Sequence, residues 1–446
     1  MQTHYNMNNE GKRIGLALSG GGYRASAYHI GTLRALHKLG ILDKIDVISS
    51  ISGGSIIAAY YALHKDEFQD FESFEKEFVK KLQNGPFCLL VGILIFIVFI
   101  ICILSCAVVY VMHSGCICMC IKIFLALAYL FGLGYVVVNH HKFFRSSKIV
   151  QWYYDKHFYS YKKMKDLPDT PILAINATEI TQNQLMTFSK FKVACGRKYP
   201  KGVISPDDLP ISLAVMASSA YPLFNPVTIK SNYFADSNYD GELPMLIDGG
   251  IYDNQGLHKL NESYSDYHTN FAIVSNAGNA EMNANGMGNV VGELYKCFNL
   301  LMNRIEKMQM RKILYQATKE DEHCAYVSLL WKPLDTIIDR YFDNIRKGQV
   351  PSYIYNANGL TDEQVEKLKS GQMTEEEING CLETIKENVN WAAMRKDLER
   401  ILDAWAHAKN IETNLKGLSK QEIKDLSMLA EWQTTLQVRL HLPNLL

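Results

Sequence analysis

Three short segments hold the residue types that acyl-transfer or phosphate chemistry requires. The first is Ser19-Gly20-Gly21-Gly22-Tyr23-Arg24-Ala25, between an apolar run and a helical pattern. Consecutive glycines let the backbone approach an anion and aim N–H groups at it, and the dipole of the following helix favours negative charge. Two chemistries fit. Gly20-x-Gly22-x-x-Ala25 satisfies the dinucleotide fingerprint, while the same amides suit an oxyanion hole for an acyl transition state. The second segment, Asp46-Val47-Ile48-Ser49-Ser50-Ile51-Ser52-Gly53-Gly54-Ser55, runs from a strand through a sharp turn into a helix. Ser50-x-Ser52-x-Gly54 resembles the nucleophile elbow G-x-S-x-G, with serine in place of the first glycine. Ser52 is its central residue, and small neighbours suit a strained turn. Ser49, Ser50 and Ser55 read as packing or capping residues. A dinucleotide site also wants an acid at the end of the second strand, whereas Asp43 and Asp46 precede that strand's apolar residues.

A serine hydroxyl needs a base. Leu246-Ile247-Asp248-Gly249-Gly250 sets an acid at the end of an apolar run, followed by glycines that let the chain turn away. Asp248 is the natural partner of Ser52, either orienting a histidine or accepting the proton itself. His29, inside the first helix, and His258, beyond Asp248, have no setting that marks a triad member; both read as structural.

These segments must be positioned by strands and helices. Apolar runs of strand length occur at Arg13–Leu18, Asp46–Ser50, Pro171–Ala177, Phe271–Ser275 and Ala325–Leu330. Helical patterns follow the first two, over Arg24–Leu39 and through Leu63. This alternation predicts an α/β fold with a mainly parallel sheet covered on both faces. Past about Leu360 the chain turns helical and charged. Thr361-x-x-Gln364, Thr374-x-x-Glu377 and Ser419-x-x-Glu422 have capping-box spacing and mark three helix starts.

One stretch breaks the pattern. From Leu82 to His141 the only charged side chain other than histidine is Lys122. Phe87–Met112 and Ile117–Val138 are each long enough to cross a bilayer core as a helix. His113, Ser114 and Gly115 form the short break, which predicts an antiparallel transmembrane hairpin. Lys80 and Lys81 before it, and Lys142, Arg145 and Lys148 after it, put both outer ends and the soluble parts on the cytoplasmic side. The stem of Lys122 is placed to snorkel toward the interface. Cys116-x-Cys118-x-Cys120 lacks a matching second ligand pair, so no metal is expected. Phe68, Phe71, Phe74 and Phe78 recur at helical spacing just ahead of the hairpin, on a helix that lies on the interface or packs on the protein's own core.

The 446 residues carry 46 basic and 46 acidic side chains, so the net charge is zero and a nucleic-acid partner is not expected. With 48% hydrophobic and 21% charged residues there is material for a large core. Six of the ten cysteines fall in Cys88–Cys120, so no disulfide framework is indicated. The polar stretch Met1–Arg13 has no apolar signal core.

The three motifs, in this order, resemble the patatin-like phospholipases, a family of serine–aspartate lipid acyl hydrolases. Ala217-Ser218-Ser219-Ala220-Tyr221-Pro222-Leu223-Phe224-Asn225-Pro226 and Ile251-Tyr252-Asp253-Asn254 are similar to family segments flanking the aspartate, and the resemblance covers roughly residues 10–280. It implies a three-layer α/β/α patatin-like fold and a dyad without histidine, Ser52 as nucleophile and Asp248 as base. It also implies oxyanion and substrate binding by Gly20, Gly21, Gly22 and Gly53, with Arg24 adding positive charge nearby, and it requires no cofactor. The domain plan then expected is a first part of the catalytic domain at 10–81, the hairpin at 87–138, a second part at 148–335 and a mostly helical region at 336–446. Membrane phospholipids or other lipid esters are the expected substrates. A catalytically silent lipid-binding scaffold and a nucleotide-binding oxidoreductase are the competing readings.

Overall fold

Five parallel strands form where apolar runs of strand length were expected. They are β1 (Ile14–Leu18), β2 (Val47–Ile51), β3 (Ile172–Glu179), β8 (Phe271–Asn276) and β9 (His323–Ser328). Four further strands, β4 (Gln184–Phe188), β5 (Val193–Cys195), β6 (Val227–Thr228) and β7 (Met245–Ile247), add an antiparallel edge that was not expected from the sequence. The sheet runs β5-β4-β3-β2-β1-β8-β9, with β7 on β3 and β6 on β7. The computed structural model describes residues 12–115, 118–195, 203–221, 224–236, 241–278, 288, 290–316 and 323–446. Residues 1–11, Cys116, Ile117, Pro222 and Leu223, part of segments singled out above, lie outside the described residues.

Side-chain alternation sorts the sheet into two covered faces. Ile14, Leu16, Leu18 and Ile48 enter the larger core, under helices α1 (Gly22–Lys38) and α2 (Gly53–His64) and the C-terminal helix Lys420–His441. Ala17, Val47, Ala174 and Val274 point the other way, under Leu257, Leu260 and Tyr267, with Met310 of the helix Val290–Gln316 packed alongside. The architecture is therefore three-layer α/β/α, with a mostly parallel central sheet. The C-terminal helix is seated on α1 so closely that a Cβ on Gly31 would stand 1.9 Å from the Ser427 carbonyl oxygen. All three capping boxes form, starting the helices at Asp362, Glu375 and Lys420.

Helix α3 (Phe71–Leu82) settles the two readings of the phenylalanine stripe. Its N-cap Asp70 accepts from the Ser73 N–H, and Phe74, Phe78 and Leu82 are buried, both phenylalanines against Tyr60 and Phe78 also against Phe158. The stripe packs on the protein's own core. The next two helices, α4 (Phe87–His113) and α5 (Met119–Val138), are long and apolar enough to cross a membrane, and none of their side chains is buried. They lie side by side, with Ser105 of α4 hydrogen-bonded to Tyr129 of α5. The stem of Lys122 runs toward the break between the two helices. Its ammonium donates to the carbonyls of Met112 and Ser114, capping the C-terminal end of α4 where the helix dipole favours a cation.

Candidate active site

Because β1 and β2 are adjacent and parallel, the turns that follow them meet at one end of the sheet, outside the strands' carboxyl ends. The turn after β2 is strained. Ser52 takes φ 47° and ψ −116°, a left-handed conformation costly for a residue with a Cβ. Three contacts hold it there. The Ser52 N–H donates to Ser218 Oγ at 2.8 Å, Ser218 Oγ donates to the Asn176 carbonyl at 2.7 Å, and the Gly54 N–H donates to the Ser19 carbonyl at 3.1 Å. Ser49, Ser50 and Ser55 are buried hydrogen-bonding members of the same scaffold.

The glycines of both turns are demanded by close backbone approach. A Cβ on Gly54 would stand 2.3 Å from the Leu18 carbonyl oxygen, and one on Gly22 2.4 Å from that of Asn414. Gly21 and Gly22 also adopt positive φ, 136° and 59°. Helices α1 and α2 thus begin side by side, and Ser26 Oγ bridges them by donating to the Gly53 carbonyl at 2.6 Å. The N–H groups of Gly21, Gly22 and Gly53 have no acceptor among the described residues. Gly20 departs from the expectation: its N–H is committed to the Asn254 carbonyl at 2.9 Å, so it shapes the turn and is not free to hold an oxyanion.

Asp248 arrives from the opposite flank. Strand β7 pairs with β3 through Thr178 and Ile247, the Asp248 N–H donates to the Ala220 carbonyl, and Thr178 Oγ1 donates to the Asp248 carbonyl at 2.9 Å. Gly249 follows because a Cβ there would stand 2.3 Å from the Asn176 carbonyl oxygen. The buried carboxylate accepts from the Gly250 N–H at 2.7 Å, and the Ser52 side chain lies near enough to lower its pKa. Burial pushes its pKa up to about 6, and the Gly250 N–H and the nearby Ser52 side chain only partly offset that rise. A serine hydroxyl, a carboxylate and unsatisfied amides therefore converge at the start of two helices.

Arg24 lies beside the glycine turn, a guanidinium nitrogen 3.7 Å from where a Cβ on Gly21 would stand, but its hydrogen bonds are spent elsewhere. It is buried, and its guanidinium donates to the carbonyls of Ala277, Gly278 and Ile411 at 2.8, 2.9 and 3.0 Å. Burial lowers its pKa to about 10, with Glu306 opposing the drop. Its hydrogen bonds clamp the first turn to two distant segments and do not reach toward an oxyanion. His29 and His258 are structural, as read from the sequence. His29 Nε2–H donates to the Ser19 carbonyl at 3.0 Å, leaving Nδ1 to accept from Ser275 Oγ at 2.8 Å, and burial lowers its pKa to about 4. His258 pairs with Glu262. Asp46 accepts from the Ile14 N–H at the far end of the sheet, away from any ribose position.

Two residues that hold the site had no signal in the sequence, Asn176 and Asn414, and two more, Ser218 and Asn254, lay in segments noted only for their resemblance. Their carbonyls, and the Ser218 hydroxyl, meet the two turns through contacts set by the folded topology.

The patatin-like phospholipase family model matches residues 16–260, more than half of the chain and all three motifs. The chain belongs to the patatin-like phospholipase family. A 74-residue stretch is 42% identical to lysophospholipase NTE1 of Pyricularia oryzae, which is 17% of this chain and 5% of that protein. The patatin-like chain therefore spans only a small part of that relative. Among solved structures, human GIVD cytosolic phospholipase A2 bound to methyl gamma-linolenyl fluorophosphonate aligns over 96% of this chain and 57% of its own. The identity is 11% and the TM-score 0.41. VipD from Legionella pneumophila aligns over 95% and 91% respectively, at 12% identity and TM-score 0.28.

Proposed function

We propose that this protein is a membrane-anchored lipid acyl hydrolase, of phospholipase A or lysophospholipase type, working through a Ser52–Asp248 dyad. The observation that carries the reading is a serine on a strained turn beside a buried carboxylate whose pKa it lowers, next to two helix N-termini with amides left without an acceptor among the described residues. Family membership supports the substrate class, and the two apolar helices support the anchor.

In this mechanism Asp248, ionised at neutral pH, takes the Ser52 proton as the oxygen attacks an ester carbonyl. The N–H groups of Gly21, Gly22 and Gly53 receive the oxyanion, aided by the dipoles of α1 and α2. Collapse of the tetrahedral intermediate breaks the ester bond, and the leaving alcohol takes the proton from Asp248. Water then attacks the acyl-enzyme, losing its proton to Asp248, and the fatty acid departs as Ser52 is regenerated. The hairpin keeps the catalytic domain, on the cytoplasmic side, beside its lipid substrates and replaces a weak encounter with a tethered one.

A fluorophosphonate probe tests the nucleophile. Wild-type protein should label and Ser52→Ala should not; equal labelling of both removes Ser52 from the mechanism. Deleting residues 87–138 should release the protein from membranes, and continued sedimentation with them would contradict the anchor.

A further inference from the structure

The helix Val290–Gln316 has two faces with different tasks. One lies against the dyad. Met302 is buried, its methyl 3.1 Å from where a Cβ on Gly250 would stand, and Glu306 accepts from Asn276 Nδ2 at 2.7 Å. Gln255 Nε2 also donates to the Glu306 carbonyl at 2.8 Å. The other face is apolar and uncovered. Leu294, Leu301 and Met308 are 66%, 59% and 62% exposed, and they recur every two turns, so they stack into one ridge. Cys297 is exposed along the same line. A basic edge flanks the ridge: Arg304, Lys307 and Arg311 are exposed, against one exposed acid, Glu293.

An apolar ridge with a cationic edge matches the interface of an anionic bilayer, where the ridge enters the acyl boundary and the cations meet headgroups. The ridge also connects to the hairpin. Tyr221 donates to Asn299 Oδ1 at 3.2 Å and packs edge-on against Phe298. The Phe224 N–H donates to the Tyr221 carbonyl, and Ser146, soon after α5, donates to Asn225 Oδ1 at 2.8 Å. Two short steps therefore join this helix to the segment that leaves the hairpin.

We propose that the outer face of the helix Val290–Gln316 is a docking surface for an anionic lipid bilayer, holding the wall of the Asp248 turn against the membrane. The inference rests on the membrane-anchored reading above and adds a second contact to it.

The test uses the full chain in proteoliposomes containing radiolabelled phosphatidylserine. A photoreactive phenylalanine analogue is placed at position 301 in one variant and at position 96, within α4, in another. Both positions should form lipid adducts. Adding Lys307→Glu should lower the adduct at 301 by about fivefold and leave that at 96 unchanged. Adducts at 96 but not at 301 overturn the docking surface and leave the anchor intact. Adducts at neither position overturn both readings. An adduct from 301 to a second copy of the chain, instead of lipid, overturns the choice of partner. None of these variants touches the dyad, and the readout does not require turnover.

Discussion

The Gly22 carbonyl oxygen stands 2.0 Å from the point where Gly53 would carry a Cβ. The glycine turn and the turn that carries Ser52 are thus in backbone-to-backbone contact, and only a residue without a side chain fits between them. Gly53→Ala should separate the turns and move at least one oxyanion donor. Hydrolysis should fall on the order of 100-fold, with the fold retained by circular dichroism. Gly380→Ala is the control: its Cβ would meet nothing within 4 Å, and a helix-interior alanine should add about 1 kcal/mol of stability without changing turnover.

Asp248 ionises at a cost to the fold. Because burial raises its pKa from 3.8 to about 6, the folded state binds the proton more tightly than the unfolded chain does. Its contribution to stability is full below about pH 4 and is lost as pH rises through about 6. Asp248→Asn cannot ionise. The variant should be more stable than wild type at pH 8 by about 3 kcal/mol, equal to it near pH 4, and inactive. Chemical denaturation at both pH values, in one detergent, measures the difference.

The same group sets the acid limb of activity. The base must be unprotonated, so kcat/KM on a monomeric ester should rise with pH and level off above an apparent pKa of about 6. His29, held neutral with a pKa of about 4 and hydrogen-bonded on both nitrogens, contributes no second limb at neutral pH. A profile flat from pH 5 to 8 would remove Asp248 as the base.

Arg24→Lys tests a clamp against a charge. A lysine keeps the charge but cannot satisfy three carbonyls in the geometry of a guanidinium fork. Leaving buried carbonyls unpaired should cost about 3 kcal/mol, read as a lower melting temperature and faster proteolysis between residues 409 and 419. Preserved stability with lost activity would instead return Arg24 to the oxyanion.

The sequence carried the parallel strands, the hairpin and the three motifs because each is written locally: an apolar run, a glycine cluster, a capping box. Ile14–Leu18 and Val47–Ile51 form within a residue or so of their expected limits. The antiparallel edge was not legible, since β5, β6 and β7 are two or three residues long and too short for alternation to register. Nor was the different use of neighbouring glycines. Gly20 and Gly21 look alike in sequence, and only the Asn254 carbonyl, brought in by the turn after Asp248, distinguishes the occupied amide from the free one. The clamp made by Arg24 was hidden for a related reason. Its three carbonyl partners lie some 250 to 390 positions away along the chain.

The segment from Ile411 to Leu418 lies far beyond the stretch that matches the family, yet it touches both halves of the molecule's proposed task. Asn414 accepts from the Tyr23 N–H and backs onto Gly22, while Leu418 donates to the Leu82 carbonyl and Gly417 abuts Gln83, a few residues ahead of the first apolar helix. A strap fastened at one end to the catalytic turn and at the other to the root of the hairpin means that cutting the gene at residue 335 would not yield a smaller enzyme. It would take away the brace behind the glycines, and with it the tie between that turn and the start of the first apolar helix.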